Sequence, residues 1–301
     1  MKLGLGMLLL LGQACNQEQH SIRVLCSTSL APAVREIATR FEQNNPAARV
    51  ELTVLTDLQA ISRLRAEKGI ADLLAIADRT LAERLIELQL GGEFSLLAGD
   101  EIVLATIRND LWNTPAKVAD WTLNWVHLIF QSGLSFASAD PDRESLGYLT
   151  KLSWKLAEIH YNRQGLYQRF LLNLAAERGS WESLQLLQEV EAGRIDLAFV
   201  FLSTALQRNL PHLRFPPEVS LGSATYAELY SRVFEKLPGG EGEPEWEIAG
   251  NPIRYAVALM TPEDPWAGRF QEFLFSQESK SLLRAMGYRE VPFEVVRPNR
   301  R

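Results

Sequence analysis

The sequence predicts an α/β protein of two lobes, each a mainly parallel sheet flanked by helices, with a ligand cleft between the lobes. Three observations carry that expectation. Apolar strand-like runs alternate with amphipathic helix-like runs from Arg23 to Leu90, the pattern of a parallel sheet covered on both faces. The alternation resumes in the middle of the chain and ends in the apolar run Ile195–Phe201. Hydroxyl and acidic residues follow the early strands, at the carboxyl ends where such sheets place their ligand crevice.

The elements follow in order. Arg23–Cys26 is an apolar strand that runs into Ser27, Thr28 and Ser29 and then into an amphipathic stretch from Ala33 to Phe41. That corner places hydroxyls where unpaired backbone N–H groups and about half a positive charge face outward. Two readings are open: the hydroxyls cap the helix, or the corner holds an anion. Ala48–Leu55 alternates as a strand does, a helix is expected from Leu58 to Glu67, and Ala71–Ala77 is a buried strand ending at Asp78. A further helix covers Leu81–Leu90, and Glu101–Ile107 is a strand suited to crossing into a second lobe.

The middle of the chain holds a loop from Ser138 to Gly147 and a long helix from Tyr148 to Tyr161. Helical stretches at Leu166–Ala176 and Ser180–Ala192 lead to the strand Ile195–Phe201. Leu221–Glu247 is rich in turns, with a break at Pro238-Gly239-Gly240. A late strand at Ile253–Leu259 and helices at Trp266–Phe275 and Glu278–Met286 close the pattern, stopping at Gly287, and are expected to return to the first lobe.

With 301 residues the chain can bury a sizeable core, and 47% hydrophobic with 23% charged residues is an ordinary globular composition. A formal charge of −6 argues against a nucleic-acid or anionic-membrane partner, yet a small anion responds to nearby dipoles rather than to net charge. Leu3–Leu11 behind Lys2 is too short to span a bilayer and reads as the core of a secretion signal. Ala14-Cys15 after it resembles a bacterial lipoprotein cleavage site, so lipidation at Cys15 and ordinary cleavage both fit. Residues 1–15 are then leader and 16–21 a tether, with the remainder outside the cytoplasm. Cys26 is expected to be a small core residue.

From Val24 onward the order of segments resembles the molybdate/tungstate-binding family of extracytoplasmic solute-binding proteins of ABC importers. The matching pieces are Ser27–Leu30, Ala71–Asp78, Asp140-Pro141 with Gly147-Tyr148, Gly193 with Ile195–Phe199, Leu213–Gly222, Pro252–Tyr255 and Phe273–Ser276. The resemblance implies a periplasmic-binding-protein-like fold of type II, with 22–103 and 208–296 as the first lobe and 104–207 as the second. It also implies a monomeric receptor that holds a tetrahedral oxyanion and hands it to a membrane permease, without a cofactor or metal site.

Carried over residue by residue, the family's first anion-binding serine falls on Ser29. Its second falls on Thr56-Asp57, where an acid replaces the hydroxyl. The first metal-directed carboxylate is matched by Glu144, ahead of Ser145-Leu146-Gly147-Tyr148, and the second is replaced by Val200. Neutral donors hold a dianion at roughly 1.5–3 kcal/mol per charge-assisted bond. An ionised carboxylate at about 4 Å would instead repel it by several kcal/mol. Asp57 therefore either turns away to cap the helix from Leu58 or changes the solute. Val200 leaves a tetrahedral oxyanion held by hydrogen bonds alone.

Tyr148 can reach a solute in the cleft or pack in the core, and Asp78 caps the helix after Arg79 or touches the solute. Asp140-Pro141-Asp142 is a turn signal and, by the resemblance, a cleft wall. The four histidines lack metal-ligand spacing, Trp121 and Trp125 read as core, and the acidic run Glu241–Glu247 as a solvated loop. The leading function is a solute receptor, not an enzyme. An enzyme on the same scaffold would need Asp57 with Glu144 as its acid/base pair. A sensory or partner-binding protein with a degenerate oxyanion site is the third class.

Overall fold

The computed structural model describes residues 19–131, 133–176, 181–239 and 244–297. The leader, Cys15 and the first part of the tether lie outside the described residues, as does Gly240 of the expected break.

The first lobe opens with β1 (His20–Ser27), α1 (Ala31–Asn44), β2 (Ala48–Leu55), α2 (Asp57–Ala66), β3 (Leu73–Ile76), α3 (Arg79–Glu87) and β4 (Phe94–Gly99). The chain then crosses to β5 (Ile102–Ala105), α4 (Pro115–Gln131), β6 (Phe136–Ala137), α5 (Ser145–His160), α6 (Leu166–Ala176), α7 (Ser183–Glu191), β7 (Leu197–Phe201), α8 (Leu202–Gln207) and β8 (His212–Arg214). It returns through the short α9 (Ala227–Tyr230), the hairpin β9 (Phe234–Leu237) with β10 (Trp246–Ala249), then β11 (Arg254–Leu259), α10 (Pro265–Leu274), α11 (Gln277–Ala285) and β12 (Val295–Val296).

Strand order is β12-β4-β11-β3-β1-β2 in the first sheet and β6-β7-β5-β8 in the second. Alternation of side chains along each strand decides which layer each residue joins. Ile22, Val24 and Cys26 of β1 pack with α1, α10 and α11, while Leu25 joins α2 and α3 on the opposite face. In β7, Phe199 and Phe201 enter the cluster that Leu25 belongs to, and Ala198 and Val200 pack with α7 and α8. One apolar cluster therefore runs continuously from the first sheet to the second. Its centre in the second lobe is aromatic: Trp154 stacks on Phe170 at 4.9 Å, and Trp125 lies 4.4 Å from Phe215. Trp121 and Trp125 are core residues of α4, and Cys26 is a buried free thiol whose pKa burial raises.

The two-lobed α/β expectation holds, but the sheets are mixed rather than mainly parallel. β1, β2 and β3 are parallel, whereas β11 runs antiparallel between β3 and β4, and β12 antiparallel to β4. In the second sheet only β6 and β7 are parallel. Parallel pairing needs a crossover within one sheet. β11 and β5 instead enter from the other lobe, so their direction is not set by a βαβ unit.

Strand pairing also bears on the lobe boundaries. Ile102, Val103 and His212–Arg214 pair within the second sheet, whereas boundaries at 103/104 and 207/208 would put them in the first lobe. We propose that the lobes divide near Asp100 and near Leu221. There the two crossing strands run side by side, with Ile102 N–H donating to Ser220 and Ile253 N–H to Leu221. Leu221 adopts φ of 57°, and a side chain at Gly222 would collide with Glu101.

Candidate functional site

The carboxyl ends of β1, β2 and β3 face the second lobe, and a cavity of about 310 Å³ lies between them and that lobe. Four helix amino termini border it: Ala31-Pro32 of α1, Asp57 of α2, Glu144-Ser145 of α5 and Ser183 of α7. Each brings N–H groups without intrahelical partners, and partial positive charge, to the same space, and two of these groups, on Ser183 and Ser145, already serve Glu144 and Asp57. Gly147 allows one of these approaches, because a side chain there would strike the backbone of Asp140 and Pro141 and push the start of α5 off its turn.

Ser27, Thr28 and Ser29 line the first-lobe side, with the Ser27 and Ser29 hydroxyls 3.2 Å apart. The alternative in which they cap α1 is not realised: its cap is Leu30, with no side-chain bond. The capping reading of Asp57 gives way as well, since Thr56 caps α2 through a reciprocal bond pair with Gln59. Thr56 thereby serves the helix and does not line the cavity.

Asp57 instead projects into the space between the lobes. Its Oδ1 accepts from Ala77 N–H at 3.0 Å, and its Oδ2 accepts from the Ser145 hydroxyl of the second lobe at 2.6 Å. Burial raises its pKa, against the pull of Ser145, Ala77 and Ser27. Asp78 caps α3 by accepting from Thr80 N–H, and its other oxygen accepts from the Tyr148 hydroxyl at 2.6 Å. Burial pushes Asp78 up to about 6. Tyr148 is fully buried and also lies 3.2 Å from the Ser145 hydroxyl. Asp78 and Tyr148 therefore clasp the lobes behind the cavity without lining it.

Glu144 sits at the amino end of α5, accepts from Ser183 N–H at 3.1 Å and lines the cavity. Burial, opposed by Ser183 and reinforced by the nearby Asp57, raises its pKa to about 7. Asp140 forms the expected turn, its side chain accepting from Asp142 N–H. Among the described residues no group of three or more His, Cys, Asp and Glu could hold a metal ion.

The structure thus brings Ser27, Thr28, Ser29, Asp57, Glu144 and Ser145 to one cavity and leaves Thr56, Asp78 and Tyr148 outside its wall. It adds residues the sequence did not single out. Arg35 of α1 and Arg208 beyond α8 are exposed and stand at the rim on opposite lobes, and Val54, Leu187 and Val200 make part of the wall apolar. Arg35, one turn into an expected helix, carried no signal apart from its place after the Ser27–Ser29 corner.

Comparison with known proteins matches this architecture. A family profile described as bacterial extracellular solute-binding protein covers residues 22–289. A solute-binding protein of Petrotoga mobilis is 24% identical over 88% of this chain and 82% of its own length. The molybdate/tungstate-binding protein WtpA of Pyrococcus abyssi is 26% identical over 71% and 67%. Among solved structures, the periplasmic molybdate-binding protein of Azotobacter vinelandii superposes with a TM-score of 0.62 at 16% identity, covering 90% of this chain and 99% of that one.

Proposed function

The chain belongs to the bacterial extracellular solute-binding protein family, and from that premise we propose that it captures an oxyanion in the inter-lobe cavity and delivers it to an ABC permease. It is a solute-binding protein of an ABC transporter with molybdate/tungstate-binding homologues. The observation that carries the solute class is the convergence of four helix amino termini, with the Ser27–Ser29 hydroxyls, on one cavity. Oriented N–H and O–H donors in a partly desolvated space hold an anion with no counter-ion. The rim cation Arg35 steers anions inward despite the negative net charge.

Solute touching both lobes gains contacts only when they are closed, so binding shifts the population toward closure. The permease then reads the fixed separation of the lobes. The receptor acts as a monomer outside the cytoplasm and returns its solute unchanged. No described helix is long and apolar enough to cross a membrane.

Calorimetric titration with molybdate, tungstate, sulfate and phosphate tests the reading. Submicromolar binding of at least one supports it, and no heat from any of them overturns it. The Asp57–Ser145 bond, which joins the lobes directly across the cavity wall, favours a second reading: a sensory or partner-binding protein with a degenerate solute site. A protein that binds none of these oxyanions yet engages a partner would establish it.

A further inference from the structure

An ionised carboxylate accepts hydrogen bonds and cannot donate one. Asp57 lines the cavity at the junction of the lobes, is 3% exposed, and has neutral donors on it from both sides: Ala77 N–H from the first lobe and the Ser145 hydroxyl from the second. Those two bonds fix the carboxylate in place, and the Ser27 hydroxyl and the Ser145 N–H act on it as well; Ser27 lines the cavity, so a solute donor can take the place of its hydroxyl there. These neutral donors favour its ionised form against the burial that raises its pKa. Glu144, the other carboxyl on the wall, has one oxygen on Ser183 N–H, and Asp78 lies just behind. An oxyanion entering this cavity therefore finds donors on most of its surface and a carboxylate on one side.

That arrangement is repulsive for an oxyanion with no proton and attractive for one that has a hydroxyl to donate. Sulfate, molybdate and tungstate are fully ionised near neutral pH, whereas phosphate and alkylphosphonates retain a P–OH. A single proton placed between solute oxygen and carboxylate oxygen turns a like-charge contact into a charge-assisted hydrogen bond. The discrimination resembles any buried polar contact in that the wrong solute leaves a group unpaired.

We propose that Asp57 is the specificity determinant of the cleft and selects a tetrahedral oxyanion that carries its own proton, hydrogen phosphate or an alkylphosphonate, over fully ionised molybdate, tungstate or sulfate. This rests on the oxyanion reading above. The apolar wall of Val54, Leu187 and Val200, in a cavity of about 310 Å³, leaves room for a short alkyl group beside the phosphoryl head.

The test is calorimetric titration at pH 7 of the full chain, Asp57→Asn and Asp57→Ser, each with inorganic phosphate, ethylphosphonate, sulfate and molybdate. Thermal melts identify any variant that does not fold, and the second substitution covers the loss of the first. The wild-type protein should bind phosphate or ethylphosphonate at least roughly tenfold more tightly than sulfate and molybdate. Both substitutions should erase or reverse that ratio, chiefly by tightening sulfate and molybdate. The stronger of the two phosphoryl probes distinguishes free phosphate from an organic source.

Equal wild-type affinity for sulfate or molybdate overturns the inference and leaves the oxyanion reading intact, as does a ratio unchanged by both substitutions. Binding of sulfate by the variants with no phosphoryl binding by the wild type also overturns it, since Asp57 would then only block the cradle. If no probe binds to any of the three proteins, the oxyanion reading itself fails.

Discussion

Buried carboxylates occur at two places between the lobes, and they are treated differently. At the crossing, Glu101 is held by Arg214 of the second lobe at 2.6 Å and Arg289 of the first at 2.8 Å. Beside it Asp100 accepts from Ser203 and Tyr255, again one from each lobe. In the cleft, Asp57, Asp78 and Glu144 also bridge toward the opposite lobe or line the gap, yet their partners are hydroxyls and backbone N–H groups. At the crossing Glu101 sits between two full charges, while Asp100 beside it, pushed up to about 6 by burial, has hydroxyl and N–H donors as the cleft carboxylates do. The cleft carries carboxylates short of compensation, with Glu144 raised to about 7 and Asp78 to about 6, both chiefly by burial.

The difference separates a fixed joint from a negotiable one. Ion pairs with two arginines hold the crossing strands together. A carboxyl balanced by dipoles can gain or lose a proton, or exchange a hydroxyl for a solute oxygen, at modest cost. Closure and opening therefore belong to the cleft side, while Asp100, Glu101, Leu221 and Gly222 keep the lobes in register.

The largest expected effect lies at the joint. Glu101→Ala removes both oxygens that accept from Arg214 and Arg289 and should cost about 3 kcal/mol of folding stability, read from denaturant midpoints. A loss under about 1 kcal/mol would place these pairs with ordinary surface pairs and remove the contrast.

The next effect lies in the cleft and has the opposite sign. The raised pKa of Glu144 means that its favourable contribution is fully present below the unfolded value and is lost as pH rises through about 7. Asp78 and Asp100, each raised to about 6, act in the same direction. The wild-type melting temperature should therefore fall between about pH 5 and pH 8. Glu144→Gln should flatten that slope and raise stability at pH 8 by roughly 1–3 kcal/mol. A variant less stable than wild type at pH 8 would show that Glu144 is fully paid for by its donors.

A smaller effect sharpens the picture of the clasp. Tyr148→Phe removes the hydroxyl shared by Asp78 and Ser145 and should cost about 1–2 kcal/mol. Small-angle scattering should show a larger radius of gyration without solute. An unchanged radius would mean that the continuous apolar cluster alone keeps the lobes together.

Much of this was legible in the sequence where local pattern decides structure. β2 and α6 match their expected spans, and the β1–α1–β2–α2–β3–α3 alternation follows from strands buried on both faces. β4, α4 and the β9–β10 hairpin were not foreseen. α4 carries the buried Trp121 and Trp125 and an exposed Leu123, so its face is set by the second lobe rather than by a clean helical stripe. The mixed strand directions were hidden because β5 and β11 are as apolar as parallel strands while their direction depends on which lobe the chain comes from. In the site, Ser29 and Asp57 were identifiable at strand ends, and Glu144 only through the family resemblance. Arg35, Ser183 and Arg208 were not, because only the meeting of two distant segments gives them a common cavity.

Arsenate offers the most direct measurement of the central claim, since it keeps a proton near neutral pH and scatters anomalously. Crystals of the full chain grown with it should show one anomalous peak in the inter-lobe cavity, within hydrogen-bond distance of an Asp57 oxygen and of a hydroxyl among Ser27, Thr28 and Ser29. A cavity without a peak at saturating arsenate, or a peak only elsewhere on the surface, would contradict capture of a protonated oxyanion between the lobes.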